Sequence, residues 1–165
     1  MKKIIFLTVI SIILSILNTS CTGYKPIYGT SNFNFKIEKH SIKGNEKLGN
    51  LIYRKLNNIS LSNKNNLNVQ SITLSIETKK ERKPTVKNSV GKILEYEIAL
   101  NTDIIINDFL TDKTILKQNF NYSISYKVQD EHSDTIKLQD QNILNLINKT
   151  YQDALIKISQ VTSSK

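Results

Sequence analysis

One side chain stands where its neighbours imply covalent chemistry. Cys21 is the only cysteine among 165 residues. Lys2 and Lys3 open the chain, Ile4 to Leu17 carry no charge, and Asn18, Thr19 and Ser20 lead into the cysteine. A basic start, a hydrophobic run and a small-residue junction make a secretory signal over residues 1–20. Cysteine directly after the junction points to lipoprotein processing. The thiol takes a diacylglycerol, the signal is removed, and the freed α-amine is acylated, typically with palmitate. Ser20 suits this reading, whereas Asn18 occupies the place where lipoprotein signals usually carry the leucine found here at Leu17. Two alternatives remain on the same residues: ordinary signal cleavage leaving a free thiol, or an uncleaved anchor. The uncharged run, about 14 residues or roughly 21 Å of helix, is short for a membrane core of about 30 Å.

No catalytic or metal-binding constellation is evident. His40 and His132 lie far apart, with no ligand neighbours at helical or hairpin spacing, and read as surface histidines. The sequence has no G-x-S-x-G and only five glycines. Glu95, Glu97 and Asp103 align through strand alternation alone. The expectation is a binding or structural protein, not an enzyme, with no cofactor and no metal.

The formal charge is +9, almost wholly from lysine, and Lys2 and Lys3 leave with the signal. Arg54 and Arg82 are the only arginines. Export and the lack of an arginine–aromatic cluster argue against nucleic acid, which leaves anionic amphiphiles of the envelope as the natural counter-charge. The main excess is local. Lys79, Lys80, Arg82, Lys83, Lys87 and Lys92 face the single acid Glu81 in a stretch expected as the tip between the second and third strands.

Elements able to position these residues follow from periodicity. Residues 21–32 read as a tether with two glycines and Pro26, and 33–165 as one domain, a length that buries a core without disulfides. Phe33, Phe35 and Ile37 alternate as a strand that extends toward Ile42. Asn45 caps a helix with the stripe Leu48, Leu51, Ile52, Leu56 and Ile59. Ile72, Leu74, Ile76 and Thr78 mark a second strand. Leu94 to Ile106 and Leu116 to Val128 alternate as two long strands joined by a turn at Asp108–Lys113. Ile136 to Val161 carries a second helical stripe. The order β-α-β-β-β-α predicts an α+β two-layer sandwich: an approximately four-stranded, mostly antiparallel sheet with both helices on its apolar face. The other face stays polar and open.

Cys21-Thr22-Gly23-Tyr24-Lys25-Pro26-Ile27-Tyr28-Gly29 resembles the start of one branch of the lipopolysaccharide-assembly lipoprotein (LptE) family, with Thr22 as an extra residue. The run Leu94–Asp108, its Thr-Asp-Lys turn and the Tyr122–Tyr126 strand are similar to the family's long central hairpin. The closing helix with its apolar stripe is similar as well. The resemblance spans nearly all of 21–165 and implies a lipid-anchored protein on the periplasmic side of the outer membrane of a Gram-negative cell. Such a protein pairs with the LptD β-barrel, plugs its lumen and assists lipopolysaccharide transport to the surface. It further implies lipopolysaccharide contact, for which local charge marks Lys79, Lys80, Arg82, Lys83 and Lys87, since lysine serves phosphate as a point charge. From a different class, a lipid-anchored auxiliary subunit of another envelope transporter, or a soluble periplasmic binding module, fits the same elements.

Overall fold

A change of parity organises the first strand. Phe35 and Ile37 face the helix side of the sheet, yet so do His40, exposed and stacked on Tyr53, and Ile42, and strict alternation cannot serve both pairs. In the computed structural model, strand β1 (Phe35–Gly44) resolves this with a register shift between Ile37 and Lys39. Residues 33–62 and 69–162 are described. Cys21, the signal 1–20 and the tether 21–32 therefore lie outside the described residues.

Asn45 then opens helix α1 (Glu46–Ser62), its Oδ1 accepting the Leu48 amide at 3.2 Å as an N-cap. Leu48, Ile52, Leu56 and Ser60 recur every four residues and form its buried stripe. Because α1 carries the chain back to the end where β1 began, β2 (Gln70–Lys87) pairs parallel to β1. Strands β3 (Ile93–Asp108) and β4 (Thr114–Lys127) follow antiparallel through short turns. Sheet order is β1-β2-β3-β4, giving an α+β fold in the order expected from the sequence.

One face of this sheet is sealed. Ile72, Leu74 and Ile76 of β2 and Ile98, Leu100, Ile104 and Ile106 of β3 have almost no exposed surface. They meet α1 and helix α2 (His132–Thr162), whose Ile143, Ile147, Leu155 and Ile158 are buried against them. Helix α2 begins four residues before the expected Ile136. Polar His132–Thr135 read as loop, but Thr135 is buried there, its hydroxyl accepting the Gln129 amide at 2.9 Å. Buried Thr150 and Thr162 return their hydroxyls to the carbonyls of Leu146 and Ile158, four residues back, at 2.9 and 3.0 Å. Among the described residues no helix is long and apolar enough to cross a membrane.

Candidate ligand and partner surface

The basic stretch is a strand and not a hairpin tip. Strand β2 was expected to end at Thr78, but it continues to Lys87, paired with the first half of β3 from Lys79–Asn101 to Lys87–Ile93. Its lysines lack the apolar alternation that marks a strand. The strong alternation of β3 supplies the template instead. Only Asn88–Lys92 turn, with the Asn88 side-chain oxygen accepting the amides of Val90 and Lys92 at 3.1 and 2.8 Å.

Strand β1 does not accompany this extension. Its last pair is Gly44–Thr78, where Gly44 has φ +74°. A Cβ there would lie 2.2 Å from the Thr78 carbonyl oxygen. Only glycine allows this exit at so close an approach. The Asn45 amide donates to the same carbonyl at 2.7 Å, and the Thr78 hydroxyl donates to the Asn45 carbonyl at 2.7 Å. Beyond that point, from Lys79 to Lys87, β2 is an edge strand with every residue exposed. Charge, Pro84 and two register shifts at Pro84/Val86 and Val86/Lys87 guard it against casual pairing.

Alternation divides four of the five expected cations between two faces, and Lys87 follows the two register shifts. Lys79 and Lys83 lie opposite Asn101 and Glu97, on the open face. Lys79 pairs with Glu77 at 3.1 Å and Lys83 with Glu97 at 2.9 Å. The hydrogen bond to Lys83 lowers the Glu97 pKa, and the same bond raises that of Lys83. Lys80 and Arg82 lie opposite Leu100 and Ile98, on the helix side. There α1 has not yet begun to cover the sheet. Arg82 lies over the Tyr96 ring, 3.6 Å from its centre. Tyr96 in turn is 6.0 Å from the ring of Tyr126, whose hydroxyl donates to Gln139 of α2 at 3.0 Å. Burial raises the Tyr126 pKa despite the nearby guanidinium. Arg82 is thus tied into the packing of β3 and β4. Lys80 and Lys87 carry no ion pair among the described residues, and they are the cations left for an incoming anion.

The open face runs the full width of the sheet and is polar. One row across it reads Ser41, Ser75, Ile105, Lys117, and the next Lys43, Glu77, Asp103, Asn119. Ser41 and Ser75 share a hydrogen bond at 2.8 Å. The Asn119 amide donates to Asn101 and Asp103 at 2.6 and 2.8 Å. Glu95, Glu97 and Asp103 stand on this face in line along β3, as expected, and the first two accept from Thr85 and Lys83 across the strand pair. Such a surface, with hydroxyls, amides and charged side chains around Ile105, stays wetted, whatever it faces.

Sequence reasoning missed two arrangements that pairing alone creates. The Tyr122 hydroxyl donates to Asp153 of α2, and Lys149 lies 4.5 Å from the Tyr122 ring centre. Burial and the Asp153 carboxylate push the Tyr122 pKa up to about 12. A cavity of about 350 Å³ opens beside the start of α2, lined by Lys92, Leu94, Val128 and His132 among others. The i, i+4 spacing of Lys149 and Asp153 was visible, but nothing in it named Tyr122. His40, read as a surface residue, is exposed and stacks on Tyr53 of α1 at 3.8 Å.

No family model matches the sequence, and no curated protein matches it. Solved structures match in shape. A lipoprotein from Caulobacter crescentus superposes with a TM-score of 0.55 at 14% identity, covering 78% of this chain and 92% of that one. Lipoprotein B from Nitrosomonas europaea gives 0.56 at 11% identity, covering 86% and 94%. A minor lipoprotein from Acinetobacter baumannii gives 0.51 at 16% identity, covering 77% and 94%. What this chain shares with these lipoproteins, at such identities, is the fold.

Proposed function

We propose that the protein is an outer-membrane lipoprotein, held on the periplasmic side through acylated Cys21, that pairs with an LptD-type β-barrel and plugs its lumen while assisting lipopolysaccharide transport. The observation that carries this reading is the asymmetry of the sheet. Apart from the Lys79–Lys87 extension, its helix side is closed by the core, and its other side is predominantly polar from β1 to β4. A barrel lumen is wet and polar, so a plug must fold on its own core and turn hydrogen-bonding surface outward. The fold likeness to lipoproteins and the processing signal at Cys21 support the anchored location. Two or three acyl chains make such an anchoring durable where one does not. The role is binding, with no catalytic step.

Lipopolysaccharide contact falls on the free edge of β2. Lys80 and Lys87 offer uncommitted charge to lipid A phosphates, whereas Lys79 and Lys83 must first leave Glu77 and Glu97. Extraction in mild detergent followed by pull-down tests the partner: a large, heat-modifiable barrel is expected, and a transporter permease in its place overturns the reading in favour of an auxiliary transporter subunit. For the ligand, Lys80→Gln with Lys87→Gln is expected to weaken lipopolysaccharide binding in a salt-sensitive way without unfolding the domain. Adding Lys79→Gln and Lys83→Gln should weaken it further. Unchanged binding in the fourfold variant eliminates the patch.

A further inference from the structure

The sheet has two exposed apolar ends, and only one of them lies where the chain leaves for its anchor. At that end the β3–β4 turn carries Phe109, 36% exposed, and Leu110, 86% exposed. The Phe109 amide donates to the Ser71 carbonyl at 3.0 Å, and Ser71 is the register partner of Lys36, three residues from Phe33. The end of α1 arrives at the same place. Its Ser60 hydroxyl accepts the Ile37 amide at 2.8 Å, and the adjacent Leu61 is 45% exposed. Lys39 lies 5.5 Å from the centre of the Phe109 ring.

The turn is built to hold these side chains out. The Asp108 carboxylate accepts the amides of Leu110 and Thr111 at 3.1 and 2.9 Å and the Thr111 hydroxyl at 3.0 Å. Asp112, at φ 55°, returns its amide to the Asp108 carbonyl at 2.9 Å. The amides of Leu110, Thr111 and Asp112 are thus satisfied within the turn, which lowers the cost of bringing its apex into an apolar interface.

We propose that this turn, with Phe109 and Leu110 at its apex and Lys39 beside it, seats in the lipid surface that holds the acylated Cys21. The inference rests on the reading of Cys21 as the lipid anchor. Residues 21–32 span at most about 40 Å when fully extended, so the sheet end at Phe33 is kept within reach of the headgroups. The opposite end, with Val90 at 83% exposure, lies roughly 50 Å away along β3 at about 3.3 Å per residue. Apolar side chains at the near end then bury in the interface, and Lys39 meets phosphate. Seating fixes the tilt of the domain, which a flexible tether alone leaves free.

The chain contains no tryptophan, so a single introduced one reports its own position. Leu110→Trp and, separately, Val90→Trp are made in the full lipoprotein, purified in detergent and placed in phosphatidylethanolamine–phosphatidylglycerol vesicles containing brominated acyl chains. Both sites are exposed, and circular dichroism checks that the fold is retained. Lys113→Trp provides a second probe in the same turn. Quenching of about half the fluorescence is expected at positions 110 and 113, and less than about a tenth at position 90. Mass spectrometry on the same samples records the acyl chains. Acylated protein with no quenching at 110 and 113, or with equal quenching at 90, overturns the seating while leaving the anchor intact. Unacylated protein overturns both.

Discussion

The exit of β1 at Gly44 decides whether β2 has a free edge, and substitution there measures how firmly that exit is held. In Gly44→Ala the new Cβ must sit at φ +74° and 2.2 Å from the Thr78 carbonyl oxygen, a backbone atom that cannot swing aside. The left-handed conformation costs an L-residue about 1–2 kcal/mol. Relieving the contact means moving a fully buried carbonyl that accepts the Asn45 amide at 2.7 Å, which weakens a bond with a net worth of about 1 kcal/mol and exposes its partner to loss of a further fraction. The expected loss is about 3 kcal/mol. Gly91 supplies the control. It has φ +83°, but a Cβ there meets nothing within 4 Å. Gly91→Ala should therefore cost only the backbone part, about 1 kcal/mol. Urea unfolding followed by circular dichroism compares the two variants in one background. The gap of about 2 kcal/mol corresponds to roughly 6 °C in Tm for a domain of this size. Equal losses in the two variants refute the reasoning, since the Thr78 contact would then impose nothing beyond the φ angle.

Three further predictions concern polar groups in and around the core. Thr102 is fully buried and its hydroxyl has no partner among the described residues; Thr102→Val keeps the shape and should raise stability by about 1 kcal/mol in the same urea assay. The turn amides and Gln70 hold the Asp108 pKa down to about 2, so its contribution to stability is present above about pH 4 and lost as pH falls through about 2. Asp108→Asn should flatten that part of an acid denaturation series. The Tyr122 pKa is raised to about 12, so its contribution is present below about pH 10 and lost as pH rises through about 12. Alkaline titration of Tyr122→Phe, read by tyrosinate absorbance, should lack the highest-pH phenol and show a shallower loss of stability.

Periodicity in the amino-acid sequence determined the elements. Ile72–Thr78, Ile98–Ile106 and Phe120–Tyr126 each place alternate residues on one side, and Leu48–Leu56 and Ile143–Ile158 return every three or four. Burial of one face or stripe is written locally in such patterns, because the strand and helix periods are local properties of the backbone. The processing signal around Cys21 is local for the same reason. Tertiary structure alone decided the candidate surface. Lys79–Lys87 has no strand pattern of its own and becomes strand because β3 pairs with it. Its division into open-face Lys79 and Lys83, ring-bound Arg82 and uncommitted Lys80 and Lys87 depends on partners across the sheet, 14 residues away for both the Lys83–Glu97 and the Arg82–Tyr96 contact. The parallel β1–β2 pair and the meeting of Phe109 with the start of the sheet likewise come from where α1 and the β3–β4 turn return the chain. Register and pairing are relations between distant segments, and a segment read by itself does not contain them.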